Sequence, residues 1–128
     1  MAPPARKTRT APATAGAVLT KATLRAGALL GLPNAAVARI VGVSEATVSR
    51  MAAGERSFEP GTKPAELAAL LVRVYRSLDA LVGNSEPHRQ QWLGSFNRAF
   101  NQTPREAIET VDGLTRVVRY LDGARALA

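Results

Sequence analysis

Residues 33–54 read PNAAVARIVGVSEATVSRMAAG, and this stretch decides the fold of the N-terminal half. Asn34 is a good N-cap for a short helix to Val41, which Gly42 then breaks. Ser44 caps a further helix running to about Ala53, before Gly54. A helix-turn-helix needs a small residue where its helices cross and a turn residue tolerant of positive φ. Ala38 and Gly42 meet those two needs. The inner faces must be apolar, and Val37, Val41, Val43, Val48 and Met51 supply them. In this motif the second helix presents its N-terminal residues to base edges in the major groove. The candidate DNA-facing positions are therefore Ser44, Glu45, Ala46, Thr47, Ser49 and Arg50. Most are short polar groups, and Arg50 has the donors to bond guanine. Glu45 repels phosphate and helps only by accepting a bond from a cytosine amino group. Two small helices packed at a Gly turn also occur in proteins that never touch DNA.

Working outward, the first 16 residues hold Pro3, Pro4 and Pro12 among small residues and read as a disordered arm. A first helix is expected over 18–32, with Val18, Leu19, Leu24, Leu29, Leu30 and Leu32 as its apolar positions and Gly31 and Pro33 at its end. Residues 54–64 (GERSFEPGTKP) form a turn-rich connection and the expected internal boundary. Pro64 then opens a helix with Leu67, Leu70, Leu71, Val74, Leu78 and Leu81 at helical spacing, ended by Gly83 and Asn84. Its apolar positions exceed one face and suit a dimer seam. A short helix over 85–93 buries Trp92 and Leu93. Thr103, Pro104 and Glu106 form a strong helix start, in which Thr caps and Glu returns a bond to the cap. Asp112 and Gly113 are expected to break that helix. A last helix then carries Leu114, Val117, Val118 and Leu121 on one stripe, with Gly123 as its stop. No alternating strand pattern stands out. The expected fold is all-α: an arm (1–16), a helix-turn-helix domain (17–62) and a helical dimerisation and partner-binding domain (63–128).

The 128 residues suit one domain or two very small ones. The chain has 46% hydrophobic residues, which suits a folded protein, but only 5% aromatic ones, so the core rests on Leu, Val, Ile and Ala. No cysteine is present, which removes disulfides, thiolate metal sites and a Cys nucleophile and suits a reducing cytoplasm. The single histidine, His88, reads as an exposed first-turn residue, and no metal site, cofactor or catalytic set is expected. No apolar run approaches the roughly 18–20 residues that span a bilayer. Lys21 and Arg25 interrupt the one apolar stretch near the N-terminus, so it does not read as a secretory signal. The net charge is +7, and it is uneven. Up to residue 44 the chain has Arg6, Lys7, Arg9, Lys21, Arg25 and Arg39 and no acid, while residues 45–128 are nearly neutral. A basic end beside a neutral body suits a polyanion, with nucleic acid the first candidate. An organelle transit peptide and a solvated solubilising tail fit the same composition.

In the C-terminal half, one order of features stands out. Trp92 and Leu93 lead to Phe96-Asn97-Arg98-Ala99-Phe100, then Thr103-Pro104, Asp112-Gly113 and Val117-Val118-Arg119-Tyr120-Leu121. Together with the upstream helix-turn-helix, this order resembles the Xre/MbcA/ParS type of bacterial antitoxin over roughly residues 20–128. The sequence departs from the family at one turn. Members often have Pro before the Asn and a Gly-rich step after it, where this chain has Phe96 before Asn97 and Phe100, Asn101 and Gln102 after.

The resemblance implies a protein partner: a toxin of the RES type, with an ADP-ribosyltransferase-like fold, that acts on NAD. It implies that the antitoxin's last helix and tail cover the toxin's NAD cleft, and that the protein represses its own operon as a cytoplasmic homodimer. The toxin-binding residues it implies here are Asn97, Arg98, Arg116, Arg119, Tyr120, Asp122, Gly123 and Arg125. A cleft that holds a pyrophosphate presents cations, so the tail is expected to offer carboxylates, namely Asp122 and the terminal carboxylate of Ala128, beside Arg119, Tyr120 and Arg125 for acidic walls of the cleft. Two rivals remain at this point: a plain Xre-type regulator whose C-terminal half only dimerises, and a basic RNA- or chromatin-associated protein led by its arm.

Overall fold

The computed structural model describes residues 14–127. Seven helices follow in order: α1 (Ala15–Leu29), α2 (Asn34–Val41), α3 (Glu45–Ala52), α4 (Lys63–Val82), α5 (Glu86–Gly94), α6 (Pro104–Ala107) and α7 (Val111–Leu127). Among the described residues there is no strand, only an isolated antiparallel bridge between Asn97 and Gln102. The fold is all-α, as the periodicity predicts. Among the described residues, no helix is long and apolar enough to cross a membrane. Residues 1–13, most of the expected arm with Arg6, Lys7 and Arg9, lie outside the described residues, as does Ala128. Residues 14–16 are the cap and first residues of α1.

The spine is α4, 20 residues long, capped by Thr62 and ended by Gly83 in the left-handed conformation. It packs against α1, α2, α5 and α7. One hydrophobic core therefore runs from Leu30 through Leu71, Leu78 and Leu93 to Leu114 and Leu121. Each of these fully buried leucines contributes about 1.5–3 kcal/mol relative to exposure.

Helix α1 corrects the expected apolar stripe. It begins earlier than expected, on the cap of Thr14, and stops at Leu29. Its buried residues are Gly16, Thr20, Thr23, Ala26 and Gly27, whereas Val18 is 56% exposed. Small side chains let its backbone lie close to its neighbours. A Cβ on Gly16 would overlap the Phe58 carbonyl, and one on Gly27 the Val37 side chain. The threonine hydroxyls are buried because they are satisfied. Thr23 donates to the Leu19 carbonyl at 2.7 Å. Thr20 donates to the Gly16 carbonyl at 2.7 Å and accepts from the Phe58 N–H at 2.8 Å. The expected helical residues Leu30 and Leu32 are instead buried just past the helix end.

Asn34 is not the cap of α2. Pro33 occupies that place with extended dihedrals and makes no side-chain cap, so its carbonyl receives the Ala36 and Val37 N–H groups at 2.9 and 3.1 Å.

The expected break at Asp112 and Gly113, and the expected stop at Gly123, are both corrected. The helix from Thr103 lasts only for α6. Its capping box is complete, but Ile108 buries its side chain and Thr110 then accepts the Gly113 N–H at 3.0 Å, starting a new helix. Gly113 lies in the first turn of that helix, α7. Glycine stands there because a Cβ would overlap the Ala107 carbonyl oxygen where α6 and α7 meet. Gly123 faces open space on a helix that continues to Leu127.

Candidate functional site

Two surfaces carry the predicted residues. The first is the helix-turn-helix. Gly42 takes φ 78° between α2 and α3, and the Gly42 and Val43 N–H groups both return to the Ala38 carbonyl. Val37, Ala38, Val41, Val48 and Met51 are buried and fix the crossing. The Ser44 hydroxyl accepts the Thr47 N–H at 3.0 Å and lies 2.9 Å from the Thr47 hydroxyl, so these two predicted readers are engaged with each other. Glu45, Ala46, Ser49 and Arg50 are exposed on the outer face of α3. Positions 46, 49 and 50 share one stripe by helical spacing.

The charge around α3 is divided. Next to its C-terminal end, Lys21 of α1 and Arg56 of the following loop line a common groove. On the other side, Arg39 of α2 is held by Glu109 at 2.7 and 3.3 Å. That bonded carboxylate, followed by its charge and that of Glu45, keeps the Arg39 guanidinium protonated more firmly than usual. Sequence reading missed this pair, whose partners stand 70 residues apart with no motif to join them.

The second surface is built by α5, the loop after it, and α7. Asn97 closes the loop. Its N–H donates to the Gln102 carbonyl at 3.0 Å, and its side-chain oxygen accepts the Ala99 N–H at 3.0 Å. Its carbonyl receives the Phe100 and Asn101 N–H groups. Asn101 takes the left-handed conformation, φ 57°, that a Gly-rich step would otherwise provide. Arg98 is exposed at the loop tip. Arg116 donates to the Ala99 carbonyl at 2.9 Å and so ties α7 to the loop.

On α7 the predicted residues divide between two faces. Arg116, Arg119, Tyr120 and Gly123 are exposed. Asp122 and Arg125 turn toward α4: Asp122 pairs with Arg73 and accepts from Ser77 at 3.2 Å, and Arg125 donates to the Ser77 hydroxyl at 3.2 Å. Of the two expected tail carboxylates, then, Asp122 is bonded within the chain and that of Ala128 lies outside the described residues.

Trp92, expected in the core, is only half-buried. Its ring meets Phe100 edge-on at 6.3 Å and Tyr120 at 6.2 Å, and Phe100 meets Tyr120 at 5.3 Å. Its half exposure arises because the adjacent Leu93 takes the core-facing position of α5.

The two halves are joined by polar bonds at the end of α1. The buried Arg89 donates to the Leu29 carbonyl at 3.0 Å and to Asp79 at 2.7 Å, beneath the Tyr75 ring. Gln90 donates to the same carbonyl, and Arg105 donates to that of Leu30 and to Gln90. Side chains of the C-terminal half thus satisfy carbonyls that the end of α1 leaves open.

Against known families, residues 10–73 match the antitoxin Xre-like helix-turn-helix domain. Residues 77–126 match the antitoxin Xre/MbcA/ParS C-terminal toxin-binding domain. The two matches meet within α4, the helix against which both halves pack. No curated protein matches the chain.

Proposed function

We propose that this chain, which belongs to the antitoxins with an Xre-like helix-turn-helix domain, neutralises a RES-type, NAD-consuming toxin by laying the end of α7 over the toxin's NAD cleft. That it is an antitoxin with a toxin-binding C-terminal domain follows from the family. The kind of toxin and the manner of inhibition are our reading. The observation that carries it is the course of α7. Its buried stripe ends at Leu121, yet the helix continues to Leu127, which is 91% exposed. An exposed face of Arg116, Arg119, Tyr120 and Gly123, within the match to the toxin-binding domain, therefore leads to a projecting apolar residue just past that match. With Asp122 and Arg125 turned to α4, the groups proposed to reach the toxin are Arg98, Arg116, Arg119, Tyr120, Gly123 and Leu127, with Asn97 shaping the loop behind them.

The second part of the proposal is autoregulation. Glu45, Ala46, Ser49 and Arg50 read operator bases, while Ser44 and Thr47 hold the start of α3 in place. Residues 17–62 serve this task, and residues 63–128 serve dimerisation and toxin binding. A second copy pairs across the largely apolar groove that α4 forms with α1, lined by Val18, Leu19, Ala22, Ala69, Val72 and Arg76, so that α1 shares the seam with α4. The test is NAD hydrolysis by the toxin encoded beside this chain, with the purified antitoxin titrated in. Inhibition at stoichiometric antitoxin is the expected result. A toxin bound but unable to consume NAD at any antitoxin level would overturn the RES assignment. No binding at all would leave a plain regulator.

A further inference from the structure

Four of the chain's six aromatic residues, Trp92, Phe96, Phe100 and Tyr120, gather at the junction of α5, its following loop and α7. Phe100 is buried and anchors the group, while Trp92 and Tyr120 are held against it. Phe96 is 63% exposed and Tyr120 43%. Between Phe96 and α5 lies an open groove of about 290 Å³, lined by Trp92, Phe96, Val82, His88 and Gln91. Exposed rings beside a groove of this kind mark a binding surface, and rings already fixed by their neighbours lose little freedom on binding.

On the side of the loop and α7 the free charges are basic, while Glu86, in the first turn of α5, is exposed. Of the nearby acids, Glu106 is bonded to Thr103 and Glu109 to Arg39. Asp112 lies 3.9 Å from Arg116. Arg98 and Arg119 are exposed and pair with no carboxylate among the described residues.

We infer that the Trp92–Phe96 groove is a second contact site for the toxin, receiving one apolar side chain of the toxin that is flanked by carboxylates facing Arg98 and Arg119. The occupant is the toxin because every residue of the groove lies within the match to the toxin-binding domain. The charge pattern calls for an acidic rim around the apolar anchor. The groove shares the flanking Arg98 and Arg119 with the surface proposed above, but its lining lies apart from the α7 end at Leu127: the groove holds the toxin, whereas the α7 end covers its cleft. This inference rests on the antitoxin reading given above.

The test uses the full chain and the toxin encoded beside it, with affinity measured for the parent, Phe96→Ser and Gln91→Glu. Both substituted positions are exposed, and each variant is first checked for an unchanged melting temperature. Phe96→Ser removes a ring face and should weaken binding at least tenfold. Gln91→Glu sets a carboxylate against the acidic rim and should also weaken binding, less so at high salt. Trp92 is the chain's single tryptophan, so a 5-fluorotryptophan label in this chain reports the groove by its 19F resonance, which should shift on binding. A parent that binds, with both variants at parental affinity and the resonance unmoved, overturns the groove alone. A parent that does not bind the toxin overturns the antitoxin reading and this inference with it.

Discussion

Arg39, on the first helix of the helix-turn-helix, gives two hydrogen bonds to Glu109, in the corner between α6 and α7. The C-terminal half thereby occupies a cation on the helix-turn-helix. If the helix-turn-helix meets a DNA backbone beside α2, a carboxylate in that position would compete with phosphate for the same guanidinium. Glu109→Gln should leave the melting temperature nearly unchanged, because surface ion pairs add little to stability. It should tighten binding to operator DNA and steepen the salt dependence by roughly one phosphate contact. Adding Arg39→Ala should remove both effects. Equal salt slopes for the parent and Glu109→Gln would show that Arg39 never meets the backbone.

The capping box of α6 makes stability depend on pH. The Thr103 N–H and hydroxyl donate to the Glu106 carboxylate at 3.1 and 3.0 Å, and they hold its pKa below the usual value of 4.5. A carboxylate whose pKa is lowered on folding stabilises the fold above its unfolded pKa. That contribution fades as the pH falls through the lowered one. Urea melts across this acid range should show the loss in the parent, and Glu106→Gln should flatten that part of the profile. At neutral pH, Thr103→Ala should cost about 0.5–2 kcal/mol.

Arg89 is nearly inaccessible and holds both the Leu29 carbonyl and Asp79. Removing one partner of a buried pair strands the other, so Arg89→Ala should cost about 3–5 kcal/mol in chemical denaturation. A loss below about 1 kcal/mol would mean that water replaces the guanidinium and that the end of α1 is held by Gln90 and Arg105 alone.

Val18 lies on the apolar groove between α1 and α4 and is mostly exposed. If that groove pairs with a second copy, Val18→Glu should convert a dimer into a folded monomer, read by light scattering across a concentration series. An unchanged dimer would place the seam elsewhere.

Much of this fold was legible because its signals are local. Ala38, Gly42 and Ser44 specify the helix-turn-helix within a few residues, and Thr103, Pro104 and Glu106 specify a helix start in the same way. The buried face of α1 was not legible, because its threonines and glycines register as polar or neutral until their hydrogen bonds and close neighbours are known. Asp112 and Gly113 looked like a break because the carbonyl that demands the glycine belongs to Ala107, on the preceding helix. On the candidate surface, the exposed positions of α3 and α7 follow from helical spacing. The capture of Asp122 by Arg73, and of Arg39 by Glu109, depends on residues 49 and 70 positions away. The aromatic group around Phe96 was hidden for a related reason: Trp92 reads as core until Leu93 is seen to fill that place.

The most direct test is cellular NAD during co-expression of the neighbouring toxin with the intact chain or with a chain ending at Leu121. The truncated chain keeps the whole buried stripe of α7, and circular dichroism should show it folded. The intact chain should hold NAD and growth at the level of cells without toxin, while the truncated chain lets NAD fall. Full protection by the truncated chain would contradict a role for the α7 end as the cleft cover. NAD loss despite the intact chain would contradict neutralisation itself.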